Sequence, residues 1–135
     1  METPFLIIYK GIIKQLRANE NLKDIQIKTP SQDFKKLPVI IMQLINGVPE
    51  KIVKNARVYD YEFQFDVVTD KDNLVKGLEI AYQLMDILRN LNIDKCQIAL
   101  LDDINLSSFI DSSTTQILNR QMLNVNFRII EENII

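Results

Sequence analysis

Tyr59-Asp60-Tyr61-Glu62-Phe63-Gln64-Phe65-Asp66-Val67 carries the clearest periodicity in the chain. Four rings and a valine fall on every second residue, with polar side chains between them. A strand sends successive side chains to opposite faces. The alternation therefore predicts a strand over Arg57 to Val68, buried on one face and either wet or touched by a partner on the other.

The chain after this strand turns helical at once. Thr69 or Asp70 can cap a helix running from about Lys71 to Leu91, and acidic residues favour its first turn. Leu74, Leu78, Ala81, Met85 and Leu88 form one stripe, and Ile80, Leu84, Ile87 and Leu91 a second beside it. That arc is wider than one sheet contact demands, so it serves either the core or a subunit interface. Gly77 permits close packing.

Upstream, Leu37 to Ile45 is densely apolar and reads as a central strand, with Pro38 tolerable near its start. Gly47 and Pro49 predict a turn or hairpin loop running to about Asn55. Ile25 to Lys28 is a short extended piece, and Thr29 to Lys36 a loop broken by Pro30. At the start, Phe5, Ile8, Tyr9, Ile12, Ile13 and Leu16 recur at three- and four-residue steps, a helix with one apolar face. Thr3 can cap it, Pro4 suits its first turn, and Asn19 to Asn21 is its stop. It reads as part of the fold, not as a signal peptide.

Downstream, Ile93 to Leu101 is a strand. Asp102 to Ser113 is polar and mixed, anchored by Ile104, Leu106, Phe109 and Ile110. Thr115 to Ile130 is the last strand: Leu123, Val125, Phe127 and Ile129 alternate with Asn124, Asn126, Arg128 and Ile130; it is long enough to carry a bulge, and the phase differs before Met122. The order is helix, three strands, helix, two strands. Adjacent strands with few helices imply an α+β fold, a largely antiparallel (mixed) β-sheet with both α-helices packed on one face. Residues 1–131 form a single domain and 132–135 a short tail.

The 135 residues carry a net charge of −2, one cysteine and no histidine. Wrapping nucleic acid requires a surplus of Lys and Arg to neutralise phosphates, and none exists. Without histidine the usual general base and commonest metal ligand are missing. Cys96 has no partner for an intrachain disulfide and reads as a small core residue. Three glycines, Gly11, Gly47 and Gly77, cannot make a phosphate loop. Asp102 and Asp103 point to opposite faces of a strand and do not converge. Asp60, Glu62 and Asp66 share a strand face but lack the loop carbonyls of a calcium or magnesium site. Lys35 with Lys36, and Lys51 with Lys54, are loop cations without aromatic neighbours for stacking. The expectation is no enzyme, no cofactor, no metal site and no membrane span.

The order of elements, and several stretches within them, resemble the tail terminator (tail completion, or neck terminator) proteins of long-tailed phages. The resemblance rests on the N-terminal helix Phe5 to Arg17, Leu37-Pro38-Val39-Ile40-Ile41, the aromatic strand followed at once by a helix from Asp72, and Ile104-Asn105-Leu106 leading to Asn119-Arg120-Gln121-Met122-Leu123-Asn124-Val125-Asn126-Phe127-Arg128. It covers residues 4 to 130. It implies a non-enzymatic virion protein that forms a ring, usually a hexamer, on the head-proximal end of the tail tube. Such a ring ends tube growth and docks the head or neck connector, and in contractile tails it meets the sheath protein. DNA passes through its lumen without specific binding. Assembly takes place in the bacterial host cytoplasm.

Ring closure needs two different patches that meet around an axis. The candidate interface residues fall in three groups. Gly47, Val48, Pro49, Lys51, Ile52, Val53 and Lys54 lie in the expected loop, an arm toward a neighbour or the tube. Glu62, Gln64 and Asp66 lie on the wet face of the aromatic strand. Arg120, Asn124, Asn126 and Arg128 lie on the last strand. Competing readings are a head–tail joining or tail-tube subunit, a ligand-binding regulatory α+β domain, and a small enzyme with a carboxylate site at Asp102 or Asp66.

Overall fold

The computed structural model describes residues 4–53, 56–93, 96–113 and 115–132. Among them the order is α1 (Pro4–Ala18), β1 (Gln26–Lys28), β2 (Val39–Val53), β3 (Ala56–Asp70), α2 (Leu74–Arg89), β4 (Cys96–Leu100), β5 (Asn105–Asp111) and β6 (Leu118–Glu132). The strands make one six-stranded sheet in the order β1-β2-β3-β6-β4, with β5 also on β6. Only β1–β2 is parallel; all other pairs are antiparallel. The fold is α+β, with a mixed sheet and the helices packed against it.

β3 is the centre, as its alternation demands. Phe63, Phe65 and Val67 are fully buried and Tyr59 nearly so. Their register partners on β6, Val125, Leu123, Gln121 and Ile129, share that face, where Phe127 joins them. Ile8, Ile12 and Leu16 of α1 and Ile80, Leu84 and Leu88 of α2 close over the same cluster. Phe5 stacks on Phe63, with ring centroids 5.9 Å apart. Burying each such side chain is worth about 1.5–3 kcal/mol, so this face supplies most of the stability. α1 ends at Ala18, where Asn19 Oδ1 accepts the Asn21 N–H at 2.9 Å and turns the chain. Thr3, the expected cap, lies outside the described residues.

Three expectations need correction. Gly47 to Val53 is not a loop: β2 continues through it and pairs with β3 as far as Val53↔Ala56. Gly47 is a strand glycine covered by an aromatic ring, since a Cβ there would sit 3.0 Å from Tyr61 Cε1. Pro49 falls inside the register shift between Val48 and Lys51, where a missing N–H costs no regular ladder bond. Lys54 and Asn55, the end of the expected loop, lie outside the described residues.

Second, Asn105 to Asp111 is a strand, β5, within the segment read as irregular. β4 and β5 run one after the other along the same side of β6: Cys96–Leu100 opposite Glu131–Phe127, then Asn105–Asp111 opposite Asn124–Leu118. Leu101 to Ile104 form a bulge between them, with Ile104 buried in the main core, and the Leu101 N–H donates to the Asn126 carbonyl at 2.9 Å. The irregularity foreseen on the last strand lies on its partner.

Third, α2 starts at Leu74 after Asn73, and neither Thr69 nor Asp70 is its cap. Asp70 instead orders the preceding turn, accepting from Asn73 Nδ2 at 2.7 Å and from the Asp72 N–H at 3.2 Å. At the far end β6 runs to Glu132, so the expected tail gives up its first residue to the strand; residues 133–135 are outside the described set.

Candidate functional site

The face of the sheet opposite the helices is where the wet-face candidates converge. Antiparallel register partners share a face. Glu62, Gln64 and Asp66 of β3 therefore line up with Asn126, Asn124 and Met122 of β6, and Asp60 with Arg128. The sequence placed Glu62, Gln64, Asp66, Arg120, Asn124, Asn126 and Arg128 on two strands; the fold brings them into one two-strand band.

Much of that band is tied up internally. Arg128 binds Asp60 through two parallel bonds, Nε to Oδ1 and NH2 to Oδ2, each 2.9 Å. Such a fork fixes both side chains. Asn126 Nδ2 donates to Asp102 at 3.0 Å, crossing from β6 to the bulge. Arg120 bridges two carboxylates: NH1 donates to Asp66 Oδ2, and Nε donates to Asp111 Oδ2 at 2.8 Å. Asp66 and Arg120 are thus not presented to a partner. Asp66 is 5% exposed, beside Ile41 and Met122 in register. The exposed members are Arg128 and, half-buried, Glu62, Gln64, Asn124 and Asn126.

The two carboxylates on Arg120 differ in character. Burial pushes the Asp66 carboxyl above its ordinary value, and the Arg120 charge and hydrogen bond only partly offset this. Asp111 is held down to about 2, by bonds from the Ser113 side chain and backbone and from Arg120. The Ser113 N–H and hydroxyl reach Asp111 Oδ1 at 2.9 and 2.5 Å. Near Arg120, Val39, Val68 and Leu118 form a small second core, roofed by Phe34, Leu37 and Ile41. One end of the open face is therefore closed, and the other is a polar surface on which Arg128 is held by Asp60.

The apolar surface left over lies elsewhere. On α2, Leu74, Val75, Leu78 and Tyr82 are exposed while Ile80, Ala81, Leu84 and Leu88 are buried. The two stripes read from sequence thus divide, the second going to the core and the N-terminal half of the first to the surface. Along β5, Leu106, Phe109 and Ile110 are exposed, Ile110 at 69%. On β2, Leu44 and Ile45 are exposed at the first register shift. β1 pairs only with Val39 to Ile41, so beyond Ile41 β2 has no described strand on its outer side. The backbone of Val48, Pro49, Lys51, Ile52 and Val53 belongs to that edge. Lys54 is outside the described residues.

Sequence reading missed β5 because Asn-Leu-Ser-Ser-Phe-Ile-Asp breaks strict alternation. Its signal was the distance to Leu118, right for a hairpin back onto the last strand. Asp102 and Asp103 are exposed at the bulge, and Cys96 is half-buried against the main core. Lys35 and Lys36 are exposed in a loop. Among the described residues no three His, Cys, Asp or Glu side chains are grouped to hold a metal ion, and no helix is long and apolar enough to cross a membrane.

No protein-family model matches this sequence, and no curated protein matches it. A solved structure is similar over nearly the whole fold: TM-score 0.63 at 12% identity, covering 95% of this chain and 96% of the other. At that identity the likeness concerns the fold alone.

Proposed function

We propose that this chain is a structural subunit of a phage-type tail, a tail terminator that forms a ring, hexameric in the family it resembles, on the head-proximal end of the tail tube. The ring ends tube growth and gives the head or neck connector its docking surface, in contractile tails beside the sheath protein. The observation that carries this reading is the distribution of surface. Large apolar side chains are exposed at both outer sides of the sheet and along α2, while on the open sheet face Arg120 and Arg128 are both held by carboxylates, in Asp66–Arg120–Asp111 and Asp60–Arg128. Apolar flanks suit subunit contacts. A face whose arginines are already paired suits a wall along which DNA moves without being held, because retention requires unpaired cations.

Native mass spectrometry of the chain alone and with its tail-tube protein tests the reading. A closed ring in the presence of the tube protein, and tubes that stop elongating when the chain is added, are the expected results. Ile52→Asp or Val53→Asp, near the end of the β2–β3 hairpin, is expected to weaken the ring more than the fold, read by size exclusion beside circular dichroism. A monomer that neither associates with tubes nor limits their length sinks the proposal. The alternative within the same assembly, a tail-tube or head–tail joining subunit, predicts open filaments or binding to the connector alone.

A further inference from the structure

An outer strand offers a row of unpaired amides and carbonyls to any chain that lies beside it, and proteins ordinarily blunt such edges with Lys, Pro or bulges. The two sides of this sheet differ in that respect. β2 has two register shifts, Pro49 and Lys51. β5 has none of these: Asn105 to Asp111 is regular against β6, with no Lys, Arg or Pro, and its one charged side chain, Asp111, is bound inward to Arg120. Six of its seven residues are exposed, and β6 is its one strand partner among the described residues.

We propose that the β5 edge binds the β5 edge of a second copy of this chain, antiparallel about a two-fold axis at Ser108. The strand's own sequence argues for that occupant. In the register centred on Ser108, Leu106 faces Ile110 of the second copy, Ser108 faces Ser108, and Ile110 faces Leu106, all on the helix side of the sheet. On the open side Ser107 faces Phe109 and Asn105 faces Asp111. Every apolar residue of the helix side meets an apolar one, and no like charges meet. Only this centre pairs all seven residues and keeps both faces continuous, because a one-residue slip exchanges the faces. The contact is isologous, the same patch on both copies, and extends the sheet across two subunits.

This goes beyond the ring reading and does not depend on it. The test uses the full chain with Cys96→Ser and Ser108→Cys, oxidised mildly and run on a non-reducing gel, with Ser112→Cys as the off-axis control. Light scattering after size exclusion gives the mass of the unmodified chain and of Ile110→Lys. Ile110 is exposed, so that variant is expected to fold, with an unchanged circular dichroism spectrum. The expected results are a dimer at tens of micromolar, cross-linking through position 108 but not 112, and at least tenfold weaker association in Ile110→Lys. A monomer at that concentration overturns the inference. So does an oligomer that fails to cross-link at 108 and ignores Ile110→Lys; if that oligomer is a ring, the terminator reading stands without the edge contact. A cross-linked dimer that never limits tube length has the reverse meaning.

Discussion

Arg120 is the residue on which the open face turns. Its guanidinium offsets two carboxylates, one of them buried. Removing one partner of a buried pair leaves an uncompensated charge, so Arg120→Ala is expected to cost about 3–5 kcal/mol in urea unfolding. Adding Asp66→Asn to that variant is expected to restore much of the loss. The two carboxylates also respond to acid in opposite senses. Asp111 is depressed in the fold, so its contribution is present above an ordinary carboxylate value and disappears as pH falls from about 4 toward 2. Asp66 is raised, so its contribution is present at low pH and disappears as pH rises through its folded value. Asp111→Asn is therefore expected to lower stability at neutral pH and flatten the loss below pH 4, whereas Asp66→Asn alone is expected to leave neutral-pH stability unchanged or higher. Thermal melts from pH 2 to 7 check both. On the helix side, Gln121 is fully buried, and neither its Nε2 nor its Oε1 has a hydrogen-bond partner among the described residues. Each such group costs about 1–3 kcal/mol, so the near-isosteric Gln121→Met is expected to raise the melting temperature.

At the scale of elements, α2 depends on one small residue. A Cβ on Gly77 would lie 3.1 Å from Thr69 Oγ1 and 3.7 Å from Gln121 Cγ, so the helix rests directly on β3 and β6 there. Gly77→Leu is expected to push the helix off the sheet and cost about 1–3 kcal/mol by overpacking, visible as a lower urea midpoint. How far elements were legible in sequence depended on their period. β3 and the buried face of α1 were plain because a single rule, period two or period 3.6, held throughout. The β2 extension was hidden by Gly47 and Pro49, residues that mark turns in isolation. Here a ring from the neighbouring strand and a register shift accommodate them, and both devices are tertiary. β5 was hidden because an exposed edge strand has no buried face to enforce alternation. Of the candidate site, the shared face was legible from the phase of two strands. The withdrawal of Asp66 and Arg120 into an internal pair was not, since Asp111 reaches Arg120 only through the unrecognised strand.

The whole molecule is a mixed sheet whose central ladder, Ala56↔Glu132 to Asp70↔Leu118, joins two halves of the chain across α2, β4 and β5. Each half contains a local unit: the β2–β3 hairpin in the first, and the β5–β6 hairpin in the second. Neither buries its apolar face until the two dock, and closing that long connection costs chain entropy before any contact repays it. Proteins dominated by such distant pairings fold in roughly milliseconds to seconds. Folding is therefore expected to be limited by the meeting of β3 with β6. Truncating Phe65 or Leu123 to Ala is expected to slow refolding in stopped-flow traces, whereas changes in β1 mainly hasten unfolding. Until that meeting, the newly made chain exposes the aromatic face of β3, and a cell producing many copies at once has to keep them apart for that interval.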